Sequence, residues 1–227
     1  MSNITWKGTN SNTIQGLIIT DLPPITKPKQ RTESIEIDGV DGDIINNLGY
    51  SSYDKSIKIG LSGNYDINEI ISYFNGTGNL VLSNESDKYY KASVIEQIDY
   101  NKLLRFKTAT VKFHCQPYKY KLNETSVTGT DSVTVTNYGN EKSKPVITLE
   151  GTEDETVSFY LNGSEIFRYT FDSDEEVTID SEKLDAYLEG VLKNRNMIGE
   201  FPILNVGENT IECENAQITI LANSRWL

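Results

Sequence analysis

One histidine in 227 residues is a poor supply for the chemistry that most often uses imidazole. General-base catalysis and zinc binding both lean on it, and His114, on the polar side of an alternating segment with no second histidine to join it, is read as structural. Cysteine is almost as scarce. Cys115 and Cys213 fall one in each half of the chain, too few for a disulfide framework, in strand-like stretches where a thiol behaves as a small apolar group. Two buried free thiols are expected. No apolar run approaches the ~20 residues of a membrane-spanning helix, and the opening Met1-Ser2-Asn3-Ile4-Thr5-Trp6-Lys7 lacks the charged-then-apolar layout of a signal peptide. A chain made and folded in a cytosol, without membrane insertion, is the expectation. Also missing are the Gly-x-Ser-x-Gly elbow, the Walker loop, the His-Glu-x-x-His helix and the dinucleotide fingerprint. No catalytic, metal-ligating or cofactor-binding residue is nominated, and the protein is read as non-enzymatic.

Positive charge is short as well, and unevenly so. Residues 1–122 hold 14 Lys+Arg against 13 Asp+Glu, whereas residues 123–227 hold 7 against 20. An acidic second half repels nucleic-acid phosphates, and the first half has no Lys/Arg cluster, so sequence-specific nucleic-acid binding is not expected. The abundant carboxylates are not arranged for chemistry either. No spacing selects the pair that a glycan hydrolase needs. Asp172-Ser173-Asp174-Glu175-Glu176 lacks the glycine and distant glutamate of a calcium loop and is read as a solvated turn. Asp38 to Asp43, with its glycines, is read as a tight turn.

What the sequence does hold, with 13 Tyr and 7 Phe, is strand-forming material. Ser34 to Asp38 alternates apolar and polar residues with the period of a half-buried strand, and Gly39-Val40-Asp41-Gly42 follows as a turn. Ile57, Ile59 and Leu61 repeat the alternation. One short helix is expected, with Asp66 as its cap, Glu69 in capping-box position and Ile67, Ile70, Ile71 and Phe74 as its apolar stripe. Strands resume at Leu80 to Leu82, Tyr89 to Ile95 and Arg105 to Gln116, the last closed by Pro117. A polar stretch, Asn123 to Asp131, marks a boundary between domains 1–122 and 123–227. Beyond it, Val157, Phe159 and Leu161 alternate up to Asn162-Gly163 and Phe167, Tyr169 and Phe171 alternate after it, the strongest hairpin signal in the chain. Ser181 to Glu189 is left between helical turn and strand. The fold class is mainly β, with two β-sandwich-like domains. Trp6, Trp226 and the tyrosines are read as core or interface residues, with a sugar-stacking platform as the alternative.

Several ordered cues resemble the distal tail protein family of siphophages. They are Gly39-Val40-Asp41-Gly42; Asn75-Gly76-Thr77-Gly78 with Leu80-Val81-Leu82 and Asp87-Lys88-Tyr89-Tyr90-Lys91-Ala92; Phe113-His114-Cys115-Gln116-Pro117; Asn137-Tyr138-Gly139 with Ser143-Lys144-Pro145-Val146; and Phe201-Pro202-Ile203-Leu204 with Gly207-Glu208-Asn209. Each is ordinary turn chemistry, and the likeness lies in their order across nearly the whole chain. The resemblance implies a tail-tube-like N-terminal domain that joins a homo-hexameric ring, and a galectin-like C-terminal sandwich. It implies a structural protein at the far end of the tail, in the baseplate of the virion, assembled in the host bacterial cytoplasm. Such a ring joins the tail tube protein to tail-tip proteins, a tail-associated lysin or receptor-binding proteins among them, and leaves a channel for the genome. The alternative is a carbohydrate-binding module for host cell-wall glycans.

Overall fold

The computed structural model describes residues 2–39 and 41–227, the side chain of Asn215 apart. Its contacts divide the chain into one unit that runs to Leu122 and a second that spans Asn123–Trp226.

In the first unit the strands are β1 (Ile4–Trp6), β2 (Thr9–Asn10), β3 (Leu17–Asp21), β4 (Gln30–Glu36), β5 (Asp43–Tyr50), β6 (Tyr53–Leu61), β7 (Gly76–Leu82), β8 (Glu85–Val94) and β9 (Thr108–Lys121), with helices α1 (Ile67–Tyr73) and α2 (Tyr100–Phe106). The main sheet has the order β2-β1-β7-β8-β9-β6-β3. Its core takes one face of each alternating strand, as period-two geometry requires: Ile57 and Ile59 from β6, and Val111, Phe113 and Cys115 from β9, are all fully buried. Trp6 closes edge-on against Phe113 at 5.0 Å between ring centres.

Three expectations need correction here. The helix at Ile67 forms, and the Asp66 carboxylate accepts from the Asn68 amide at 2.8 Å, but Ile71 stays exposed while Tyr73 is buried, its hydroxyl donating to the Thr9 carbonyl. A second helix, α2, stands where Arg105 and Phe106 read as strand; Asp99 caps it, and it ends at Lys107 in the left-handed region. Only Leu103 of its residues is buried, so no apolar stripe announced it. Pro117 does not close β9. Register with β8 slips between Tyr90 and Ala92, so the ladder goes from Ala92↔Cys115 to Tyr90↔Lys119 and the proline sits in the bulge, where its missing N–H is not needed.

The second unit contains β10 (Val127–Asn137), β11 (Val146–Gly151), β12 (Thr156–Leu161), β13 (Ser164–Thr170), β14 (Glu175–Asp180), β15 (Asp185–Leu188), β16 (Val191–Leu192), β17 (Met197–Gly199) and β18 (Gly207–Leu221). The polar stretch read as a boundary is mostly strand: from Val127 it pairs with β18. Asn162 and Gly163 both take positive φ, 52° and 79°, and turn β12 into β13 as expected. Phe159 and Phe167 stack across that hairpin at 4.6 Å, and Val157, Leu161, Tyr169 and Phe171 join them in the core.

The sheet order β16-β15-β14-β11-β18-β12-β13-β17 puts β16 and β17 at opposite ends. Flat, that path would separate them by roughly 34 Å. Yet only residues 193–196 connect them, a link that reaches about 18 Å at full extension. The sheet therefore curls until its ends approach, and the core fills the inside.

Candidate assembly surface

Strands β4 and β5 form a separate two-stranded sheet, an arm that joins neither of the larger ones. The alternation in Ser34 to Asp38 does make a strand, but not a half-buried one. Ile35 lies directly across from Ile44, and they are 42% and 53% exposed; Ile37, on the same face, is 47% exposed. The correction has a plain cause: among the described residues no other strand or helix pairs with the arm or covers its isoleucine face. A lone hairpin is marginal in water, so its apolar face is unfinished business within a single chain. At the turn, Gly39 and Gly42 take φ of 83° and 88°, while Val40, also part of the expected turn, lies outside the described residues.

The root of the arm is better held than its tip. Arg31 donates to the Leu48 carbonyl at 2.9 Å and the Ser51 amide to the Lys29 carbonyl at 2.8 Å. The Pro23-Pro24 segment that leads into it is pinned from the main sheet, where Asn84 donates to the Pro23 carbonyl and Lys55 to the Pro24 carbonyl, at 3.1 and 3.2 Å. Lys55 is 2% exposed, and its ammonium lies over the rings of Tyr53 and Tyr90. Burial holds its pKa below the usual lysine value, opposed by the nearby Cys115 and Glu85. Beside it the buried pair Lys119–Glu85 meets at 2.9 Å, and Tyr90 donates to the other Glu85 oxygen. Nothing in the sequence pattern pointed to this cluster, because its members come from β6, β8 and β9 and meet only through sheet pairing.

A second exposed surface of the first unit is the outer side of α2. Leu103 points into the core while Leu104 and Phe106 are 38% and 60% exposed, with Lys102 and Arg105 exposed among them. Lys102, Arg105 and Phe106 stand three and four residues apart and share one face.

A groove of about 670 Å³ belongs to the second unit and is lined by Asp131, Glu150, Asp174, Glu175 and Glu176, with Thr130, Gly151, Thr152, Ala216 and Gln217. No aromatic ring lines it, so it offers sugars no stacking platform. Glu150 and Glu176 face each other across β11 and β14, both exposed. The one buried carboxylate, Glu175, is taken up by the Tyr169 hydroxyl at 3.0 Å, Ser173 and the Lys193 ammonium at 3.0 Å. The segment Asp172 to Glu176 is thus only partly a solvated turn, since its fourth residue is a buried ion-pair partner of a lysine eighteen positions away. No group of three metal-ligating side chains occurs among the described residues. His114 pairs across the sheet with Asp54 at 2.9 Å. Both cysteines are free and buried, and burial pushes the thiols up to about 12 for Cys115 and about 11 for Cys213.

The cues that carried the family resemblance turn out to be structural contacts. Asn137 accepts from the Gly139 amide and donates to the Glu141 carbonyl, and a Cβ on Gly139 would lie 2.0 Å from the Arg225 carbonyl oxygen. Ser143 and Leu204 exchange backbone hydrogen bonds, tying two of the motifs together. Asn209, 1% exposed, accepts from the Asn205 amide and donates to the Asn205 and Gly207 carbonyls. The family model for the siphovirus-type tail component, C-terminal domain, matches residues 138–226, the stretch these contacts brace. The second domain belongs to the siphovirus-type tail component family. Tail-component architecture extends to the whole chain in fold: the crystal structure of SPP1 Dit, a paradigm of the hub adsorption apparatus in phages that infect Gram-positive bacteria, superposes with a TM-score of 0.73 over 100% of both chains at 14% identity. Chains of the phage p2 baseplate in its activated conformation align less closely, at TM-score 0.52 with strontium (12% identity, 96% of both chains) and 0.53 with calcium (11%, 97% of both). No curated protein sequence matches.

Proposed function

We propose that this chain is a structural protein of the siphophage distal tail, an adaptor whose first domain closes a ring, six-fold by the family resemblance, between the tail tube and the tail-tip proteins. The observation that carries the reading is the tail-component domain at residues 138–226 within a chain that shares the SPP1 Dit fold along its whole length. The arm supports the oligomeric part of it. A solvent-exposed apolar hairpin face is a surface that asks for a protein partner, and it lies in the near-neutral domain, where subunit contacts meet least self-repulsion. The acidic, galectin-like second domain then offers its surface to tail-tip proteins, and the ring leaves a channel for the genome.

Native mass spectrometry of the purified chain over a range of concentrations, with electron microscopy of the tail that carries it, tests this. A closed six-fold ring at the tail tip is the expected result. A chain placed in the tail outside any ring would overturn it.

A further inference from the structure

The arm and the outer side of α2 are unlike surfaces of one domain, and they match. The arm presents Ile35, Ile37 and Ile44 on a single face, and its carboxylates Glu33, Glu36, Asp38, Asp41 and Asp43 outnumber its one guanidinium, Arg31. The α2 side presents Phe106 with the cations Lys102 and Arg105. Among the described residues neither cation is in an ion pair within its own chain. We propose that the arm of one copy docks on the α2 side of the next copy, isoleucine face against Phe106, and Glu33, which shares that arm face, against Lys102 and Arg105. The proposal rests on the ring reading and names its contact.

Two arguments favour a second copy as the occupant. Apolar and charged complementarity are both present, which gives the contact area and its orientation together. The two patches also differ, and a contact between unlike patches of identical chains is heterologous, the kind that repeats around a rotation axis and closes a ring, whereas a self-complementary patch stops at a dimer.

The test uses two full-length variants, Ile44→Cys and Phe106→Cys, mixed and oxidised mildly, with the buried Cys115 and Cys213 left in place. A cross-linked mixed dimer is expected, with little self-dimer of either variant and a yield that falls as salt rises. Arg105→Glu should weaken assembly by about tenfold or more, and Glu33→Arg in the same chain should recover it; a thermal melt of each variant separates lost contact from lost fold. A closed ring that gives no mixed cross-link overturns the docking and leaves the ring reading intact. Mixed cross-links in open chains that never close keep the docking and overturn the ring. Dominant Ile44→Cys self-dimers overturn it in favour of arm-to-arm pairing, and absence of both association and cross-link at millimolar chain overturns it outright.

Discussion

Lys55 is the residue whose surroundings cost the most and explain the most. A buried ammonium with a single carbonyl acceptor and two aromatic faces pays desolvation without a bonded carboxylate. Its lowered pKa fixes the sign of a pH effect: between that value and the ordinary 10.5, the unfolded chain holds a proton that the folded chain has released, so this group's contribution to stability rises with pH. Urea titrations of wild type and Lys55→Met at neutral and alkaline pH should show that rise in the wild type and not in the variant. An equal slope in both would remove Lys55 as its source. The neighbouring pair is tested by removing its cation. Lys119→Ala leaves the Glu85 carboxylate buried beside Tyr90 with its cation gone, and a loss of about 3–5 kcal/mol is expected from the same titration; a loss below about 1 kcal/mol would mean that water reaches Glu85.

At the scale of elements, the Asn162-Gly163 turn was legible because its chemistry is local. Both central residues need positive φ, and Gly163→Val should cost roughly 1–2 kcal/mol through the left-handed backbone alone, seen as a lower midpoint for the second domain's transition. The Ile57-Ile59 and Val111-Phe113-Cys115 strands were legible for a similar reason, since one buried face writes itself as alternation. α2 was not. A helix of seven residues with one buried side chain has no stripe to read, and Asp99 as its cap looks like any surface aspartate. Pro117 misled in the other direction, because a bulge on the partner register absorbs what proline cannot donate. The arm is the instructive failure: alternation in Ser34 to Asp38 does make a strand, but among the described residues nothing buries its apolar face. Buried clusters such as Lys55, Glu85 and Lys119 escaped because their members are adjacent only once three strands are paired.

For the whole molecule, the division at Leu122 and Asn123 predicts separable folding. Residues 123–227 expressed alone should unfold in one cooperative transition, since their core is drawn from their own strands; a broad, non-cooperative melt would show that the second domain borrows stability. The thiols offer an independent reading of integrity. With Cys115 and Cys213 raised to about 12 and about 11, almost no thiolate is present at pH 8. A maleimide should therefore label neither in the native protein and both in denaturant, and rapid native labelling would mean that a core is open.

The position of β18 in its sheet sets an order of events during synthesis. It pairs with β10, β11 and β12, strands made up to some ninety residues earlier. Until residues 207–221 leave the ribosome, those strands have no common neighbour, and Val127 to Asn137 must wait as an open edge. The first domain, seven of whose eight sheet strands are made by Lys121, is free to start folding throughout that interval. An arrested or truncated chain thus presents a first domain that lacks only its last short strand, followed by unpaired strands, a species that invites aggregation.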